Sequence, residues 1–321
     1  MEVARALTDF RRDGYCIVPA LLPEAALSPV RELIDDYISA RANSLASGGH
    51  ISDPCPRAPF KSRWSRIREQ VSDTSSNGPI GGTSNWGVSS PHGEVLLDER
   101  IHELYCAGEL TTLASAILES EEVFGCGNFW IRPMTSSDAM GKYPLHQDSH
   151  FYGECAFIIR GKERGFHLSD GTARSLHCIA GGQCSEPWRC DILSVWIPLV
   201  PCSATTGALQ LVRGSHKHGK IPLEYKPRPA GGLEEPLPME EYQQFGELHA
   251  EPMQPGDVMF FHNLVLHGSS VHTRPDFVRW AIDLRYERAP DATRYAQEQD
   301  YYSTHAAAYC LYNCLETVVA Y

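Results

Sequence analysis

The hydrophobic pattern of this chain changes period near residue 123. Before that point apolar residues recur at helical spacing: Leu27, Val30, Leu33, Ile34 and Tyr37 within residues 23–40, then Leu97, Ile101, Leu104, Leu110, Leu113 and Ile117 within residues 97–121. A β-rich run at residues 15–18 interrupts the first stretch, so the chain opens as helix, strand, helix. Residues 42–93 are rich in Ser, Gly, Pro and Asn and read as a long surface loop, or as a lid if that loop is functional.

From residue 123 onward short β-runs are punctuated by Gly and Pro, the pattern of a sandwich or barrel. The expected fold is mainly β with flanking helices: an eight-stranded jelly roll, that is, a double-stranded β-helix or cupin-like barrel. Residues 279–286 show the alternation. Trp280, Ile282, Leu284 and Tyr286 form an apolar face; Arg279, Ala281, Asp283 and Arg285 form a polar one. A polar face lining a barrel interior is expected where that interior holds a charged ligand. One domain is expected over residues 1–321: helices and loop at 1–122, a jelly-roll core at 123–290 with an insertion at 152–190, and a helical tail at 291–321.

Charge and cysteine usage narrow the function classes. A net charge of −12 disfavours a nucleic-acid partner, whose phosphates demand a basic surface. No apolar run is long enough to span a membrane. The first residues are too charged for a signal core, and the last four, Val-Val-Ala-Tyr, are not a peroxisomal address, so a cytoplasmic location is expected. The odd count of 11 Cys suits reduced thiols better than a disulfide framework. Cys178, Cys184 and Cys190 with His177 have zinc-ligand chemistry, but not the C-x-x-C spacing of a zinc site.

The chemistry concentrates at His146-Gln147-Asp148. On a strand, alternate residues share a face, so His146 and Asp148 can aim at one ion while Gln147 points away. With a second His from another strand, His267, they compose a two-histidine, one-carboxylate facial triad, which binds non-haem Fe(II) and leaves positions open for O2 chemistry. His262 and His272 compete with His267 for the third place. Arg279, twelve residues after His267, suits a bidentate pair with a co-substrate carboxylate, with Arg285 as its competitor. A lone His-x-Asp carries little weight in a chain with 14 His and 40 acidic residues, so the surrounding motifs decide.

Those motifs are Phe10-Arg11-Arg12-Asp13-Gly14-Tyr15, Phe129-Trp130-Ile131-Arg132-Pro133, the His146 segment, Ser194-Val195-Trp196-Ile197-Pro198, residues 206–217, Pro255-Gly256-Asp257 and His267-Gly268-Ser269-Ser270. In this order they resemble the phytanoyl-CoA dioxygenase (PhyH-like) family of Fe(II)/2-oxoglutarate oxygenases, over most of residues 5–290. The resemblance implies iron on His146, Asp148 and His267, with 2-oxoglutarate and O2 as co-substrates. It implies co-substrate contacts from Arg279, Ser269 and Trp196, and Arg132 is a further candidate at that pocket. It implies oxidation of a small organic molecule, most simply hydroxylation with release of succinate and CO2. Desaturation, epoxidation, ring rearrangement and a non-catalytic binding role remain alternatives. Related halogenases replace the metal-binding carboxylate with Gly or Ala, so Asp148 argues against halogenation. The insertion at 152–190 is longer than the family's usual link and is expected at the barrel mouth. His167, Arg174 and Trp188 are its candidate substrate contacts, and His150 and Tyr152, which follow the metal-binding segment, are further candidates.

Overall fold

The computed structural model describes residues 2–72, 80, 86–87, 98–121, 123–125, 129–136, 143–149, 166–167, 173–174, 192–224, 226 and 235–288. The elements in chain order are α1 (Glu2–Asp13), β1 (Tyr15–Val18), α2 (Glu24–Ser47), α3 (Phe60–Glu69), β2 (Trp86–Gly87), α4 (Glu99–Tyr105), α5 (Gly108–Leu118), β3 (Val123–Gly125) and β4 (Trp130–Met134). They continue as β5 (Phe166–His167), β6 (Ala173–Arg174), β7 (Ile192–Pro198), β8 (Leu209–Val212), β9 (Leu248–His249), β10 (Val258–His262), β11 (His267–Ser269) and β12 (Arg279–Arg288).

Two antiparallel sheets make the barrel. The major sheet runs β1-β10-β7-β12-β4-β2, with β3 also paired to β12. The minor sheet runs β11-β8-β9. Antiparallel pairing sets side chains in rows across the strands. One row is Tyr15, Phe261, Ser194 and Arg285; the next is Ile17, Met259, Trp196, Asp283 and Trp130. The alternation along β12 behaves as its sequence predicts. Trp280 stacks on Phe60 of α3 at 5.3 Å, and the Tyr286 hydroxyl donates to the Tyr105 carbonyl of α4 at 2.7 Å. The odd positions, Arg279, Asp283 and Arg285, are buried on the opposite face.

The minor sheet has its own smaller core. Leu145, Val212 and Leu266 pack with Ile221 and Tyr242 on its outer side, away from the main cluster. Among the described residues no helix is long and apolar enough to cross a membrane.

Two helical expectations need correction. Residues 42–93 are not one loop: α2 continues through Ser47, and α3 occupies Phe60–Glu69. The basic side chains of α3 masked its apolar stripe of Phe60, Trp64 and Ile67. Arg63 is buried because Asp35 and Ser39 each accept from it at 2.9 Å, and Arg68 because it donates to Thr135 at 3.4 Å. The 97–121 stretch is two helices: α4 closes at Cys106 and α5 restarts at Gly108. Asp98 caps α4 by accepting the Arg100 N–H at 2.9 Å.

Gly14 joins α1 to β1. Its φ of +82° ends the helix, its N–H donates to Phe10 at 2.8 Å, and its carbonyl accepts the His262 N–H at 2.8 Å. A Cβ there would lie 2.4 Å from both His216 Nδ1 and Val265 Cγ2. Gly14→Ala therefore combines backbone strain with overpacking, and should lower the unfolding free energy by about 2–4 kcal/mol. Urea denaturation checks this; an unchanged midpoint would show that the corner can open without loss.

Candidate metal centre

The centre is built where residues 143–149 run antiparallel to β11. His146 and His267 face each other directly: each backbone N–H donates to the other's carbonyl at 2.8 Å. Ser269 N–H adds a bond to the Tyr143 carbonyl at 3.1 Å. The pairing puts the two imidazoles on one face, with ring centroids 4.2 Å apart. Asp148, two residues on, joins them, its Oδ1 lying 3.8 Å from His146 Nε2 and 3.5 Å from His267 Nε2. One ligand atom from each of the three side chains lies within 4.8 Å of the others, and all three residues are buried.

Each imidazole is oriented from behind. His146 Nδ1 sits 2.8 Å from the Pro144 carbonyl, and His267 Nδ1 sits 2.9 Å from the Val265 carbonyl. A carbonyl only accepts, so Nδ1 carries the proton and Nε2 keeps its lone pair for the centre. Burial, and then the neighbouring His267, push the His146 imidazole well below its ordinary value, so it is neutral. Burial alone would raise Asp148; the Arg285 guanidinium and then His267 more than offset this and hold its carboxyl well below the usual carboxylate range.

The major sheet supplies the groups behind Asp148. Ser194 Oγ donates to Asp148 Oδ2 at 2.6 Å, and Arg285 Nη2 lies 2.9 Å from the same oxygen. Arg279, on the same face of β12 and 3% exposed, reaches Ser269 Oγ at 3.5 Å and Met134 Sδ at 3.1 Å. Its guanidinium lies 5.9 Å from the centre of the Trp196 ring. Arg279, Ser269 and Trp196 thus converge on one buried spot. Arg132 pairs with Asp283 across the β4–β12 ladder, and its guanidinium lies 5.9 Å from the Tyr143 ring centre.

The competing histidines stand apart. His262 accepts from the Leu264 N–H at 3.0 Å and lies between Phe10 and His216; His272 accepts from the Arg274 N–H at 3.2 Å beside Phe277. Arg285, weighed above as a rival for the co-substrate, is instead on Asp148. His150, Tyr152, Trp188, the three insertion cysteines and the 291–321 tail lie outside the described residues. His167 and Arg174 fall on the short β5–β6 hairpin, which is described by its backbone pairing alone.

Sequence reasoning gave no task to Ser194, Gln147 or Gly268. Ser194 carried a signal, since it shares a face with Trp196 two residues on. Gly268 is required by close approach: a Cβ on it would stand 2.7 Å from the Tyr143 carbonyl and 3.0 Å from the Pro144 carbonyl. Gln147 does point away from the centre, and its amide is fully used. It donates to the Gly219 carbonyl at 2.8 Å and the Leu264 carbonyl at 2.6 Å, and accepts the Ile221 N–H at 2.8 Å.

A double-stranded β-helix that gathers two imidazoles and a carboxylate on an inward face offers the donor set of a facial triad, which could hold one metal ion. The profile of the phytanoyl-CoA dioxygenase (PhyH) family matches residues 10–279, and the chain belongs to that family. Over 200 residues it is 35% identical to 1-deoxypentalenic acid 11-beta-hydroxylase of Streptomyces arenae, a match covering 61% of this chain and 62% of that protein. The chain therefore spans somewhat under two thirds of that relative's length. Among solved structures it shares its fold with EvdMO1, at a TM-score of 0.51 and 16% identity, covering 90% of this chain and 50% of the other. The apoform of EctD from S. alaskensis is similar at a TM-score of 0.50 and 17% identity, covering 89% and 76%.

The Gln147 amide is a direct test of how the ligand segment is held. Gln147→Leu keeps the volume but strips partners from the buried Ile221 N–H and the part-buried carbonyls of residues 219 and 264. It should lower the unfolding free energy by about 2–5 kcal/mol. Denaturant titration measures the change, and a loss below about 0.5 kcal/mol would mean that water replaces the amide.

Proposed function

We propose that this protein is an Fe(II)/2-oxoglutarate-dependent oxygenase that hydroxylates a small organic molecule. The observation that carries the reading is the buried face of His146, Asp148 and His267, whose imidazole Nε2 atoms and carboxylate Oδ1 converge. The donor set fits the ion: two imidazole nitrogens and one carboxylate oxygen on one side suit divalent iron and leave the other side open. Family membership supports the same chemistry.

His146, Asp148 and His267 would hold the metal. Arg279 and Ser269 would take the distal carboxylate of 2-oxoglutarate, with Trp196 walling that pocket; Arg132 stands beside it, tied to Asp283. Bound iron with 2-oxoglutarate supplies the oxygen activation that no side chain here can provide. The protein positions both reactants and excludes water. Burial of Arg279 makes its pairing with a carboxylate stronger than at the surface, and Ser269 adds a second donor. The relative named above, a hydroxylase of 1-deoxypentalenic acid by its name, motivates small organic acids as first substrates to try. Recognition of the substrate falls, on this reading, to the 152–190 insertion, with His150 and Tyr152 just ahead of it or at its edge.

Under anaerobic conditions, Fe(II) and 2-oxoglutarate together should produce the weak visible charge-transfer band of a chelated keto acid. Arg279→Leu should keep iron binding and weaken 2-oxoglutarate by about thirtyfold or more, the equivalent of roughly 2–5 kcal/mol for a buried charged pair. No band at saturating iron and co-substrate would remove the proposal; unchanged affinity in the variant would move the carboxylate site elsewhere.

The insertion has a separate readout. Ala substitutions at His167, Arg174 and Trp188 should cut substrate-stimulated succinate formation at least fivefold while sparing the slow, substrate-independent conversion of 2-oxoglutarate. Equal loss of both would assign these residues to the fold or the metal site instead.

A further inference from the structure

The two oxygens of Asp148 are in different surroundings. Oδ1 faces the His146 and His267 Nε2 atoms at 3.8 and 3.5 Å. Oδ2 faces away, toward Ser194 Oγ at 2.6 Å and Arg285 Nη2 at 2.9 Å. A carboxylate offers about four lone-pair sites, two on each oxygen. Ser194 and Arg285 use both sites of Oδ2, and Oδ1 is left to the imidazole side.

These two donors are themselves held as a unit. Ser194 and Arg285 are directly opposed partners on β7 and β12, so the ladder that builds the major sheet also fixes their separation. Arg285 is 2% exposed, donates through Nη1 to the Leu284 carbonyl at 3.0 Å, and has its guanidinium 6.0 Å from the centre of the Phe261 ring. Phe261 in turn lies 4.6 Å, centroid to centroid, from the His267 imidazole and is the opposed partner of Ser194 on β10. A single row across three strands therefore touches both the carboxylate and one imidazole.

We infer that Ser194 and Arg285 are positioning residues that restrict Asp148 to a one-oxygen metal ligand, so that a coordination position is kept for the co-substrate. A carboxylate without such restraint can close on a divalent ion through both oxygens. Here that would fill a position on the side that a two-point chelate and O2 require. The inference rests on the proposed iron site, but concerns how many positions Asp148 occupies rather than whether iron binds.

The test uses Ser194→Ala, Arg285→Met and Arg285→Lys in the full chain, each titrated anaerobically with Fe(II) alone and then with 2-oxoglutarate, following the visible band. Ser194→Ala removes one small hydroxyl and should fold normally even if Arg285→Met does not. In Ser194→Ala and Arg285→Met, Fe(II) should still bind. The 2-oxoglutarate affinity should fall at least tenfold, and the band of the loaded form should shift or weaken. Arg285→Lys, which keeps a cationic donor, should recover most of the affinity and band. A purely structural role would lower thermal stability and leave the band of the folded fraction unchanged; that result overturns the inference. Wild-type protein that takes up no Fe(II) overturns both this inference and the proposed function. Wild-type binding with unaltered variants overturns this inference alone.

Discussion

The reciprocal backbone pair between His146 and His267 is the constraint on which the site depends. Two segments more than 100 residues apart in the chain are joined there by two hydrogen bonds of 2.8 Å. Because the two residues are directly opposed, their side chains must emerge on the same face. Asp148 lies in the turn that follows the bridge, not on a continuing strand, and that turn brings its carboxylate back to the two imidazoles. A one-residue slip in this pairing would send Gln147 inward and the ligands into the apolar cluster of Leu145, Val212 and Leu266. Gln147 opposes such a slip, since its amide is matched to backbone groups found only on the outer side.

Burying charge in the barrel requires that each charged group be answered, and the odd face of β12 shows how this is done. Arg285 answers Asp148, Asp283 answers Arg132, and Arg279 lies with the hydroxyl of Ser269, the thioether of Met134 and the indole of Trp196. Two arginines on the same face of one strand thus have different surroundings. Arg285 is matched to an anion belonging to the protein. Arg279 is set among a hydroxyl, a thioether and an indole.

Much of this was legible in the sequence. The alternation in residues 279–286 forecast an apolar outer face and a polar inner one, and the structure has both. The three residues that cluster could be named because motif order is a local property; the strand expected through Asp148 is instead a turn. The distinction between Arg279 and Arg285 was not local: both lie on the same face, and only the position of Asp148 relative to Ser194 separates them. Helix α3 was missed because its arginines suggested solvent, whereas Asp35, Ser39 and Thr135 make their burial possible. Gly268 looked like part of a motif, and its physical reason, the passage of Tyr143 and Pro144 against its backbone, required the partner segment to be in place.

The three candidate ligands hang from one layer, residues 143–149 and β11, while Ser194, Arg285 and Arg279 belong to the other. The ligand layer alone lacks the hydroxyl and guanidinium that hold Asp148 Oδ2. Any ion that prefers the assembled geometry must therefore stabilise the docking of one sheet on the other, by an amount that grows with the logarithm of its free concentration. Amide hydrogens of the β11–β8 ladder, which carries His267, then become reporters of occupancy. Their exchange slows as the ion binds, because an ion held by His146 and His267 also holds together the two segments that they join.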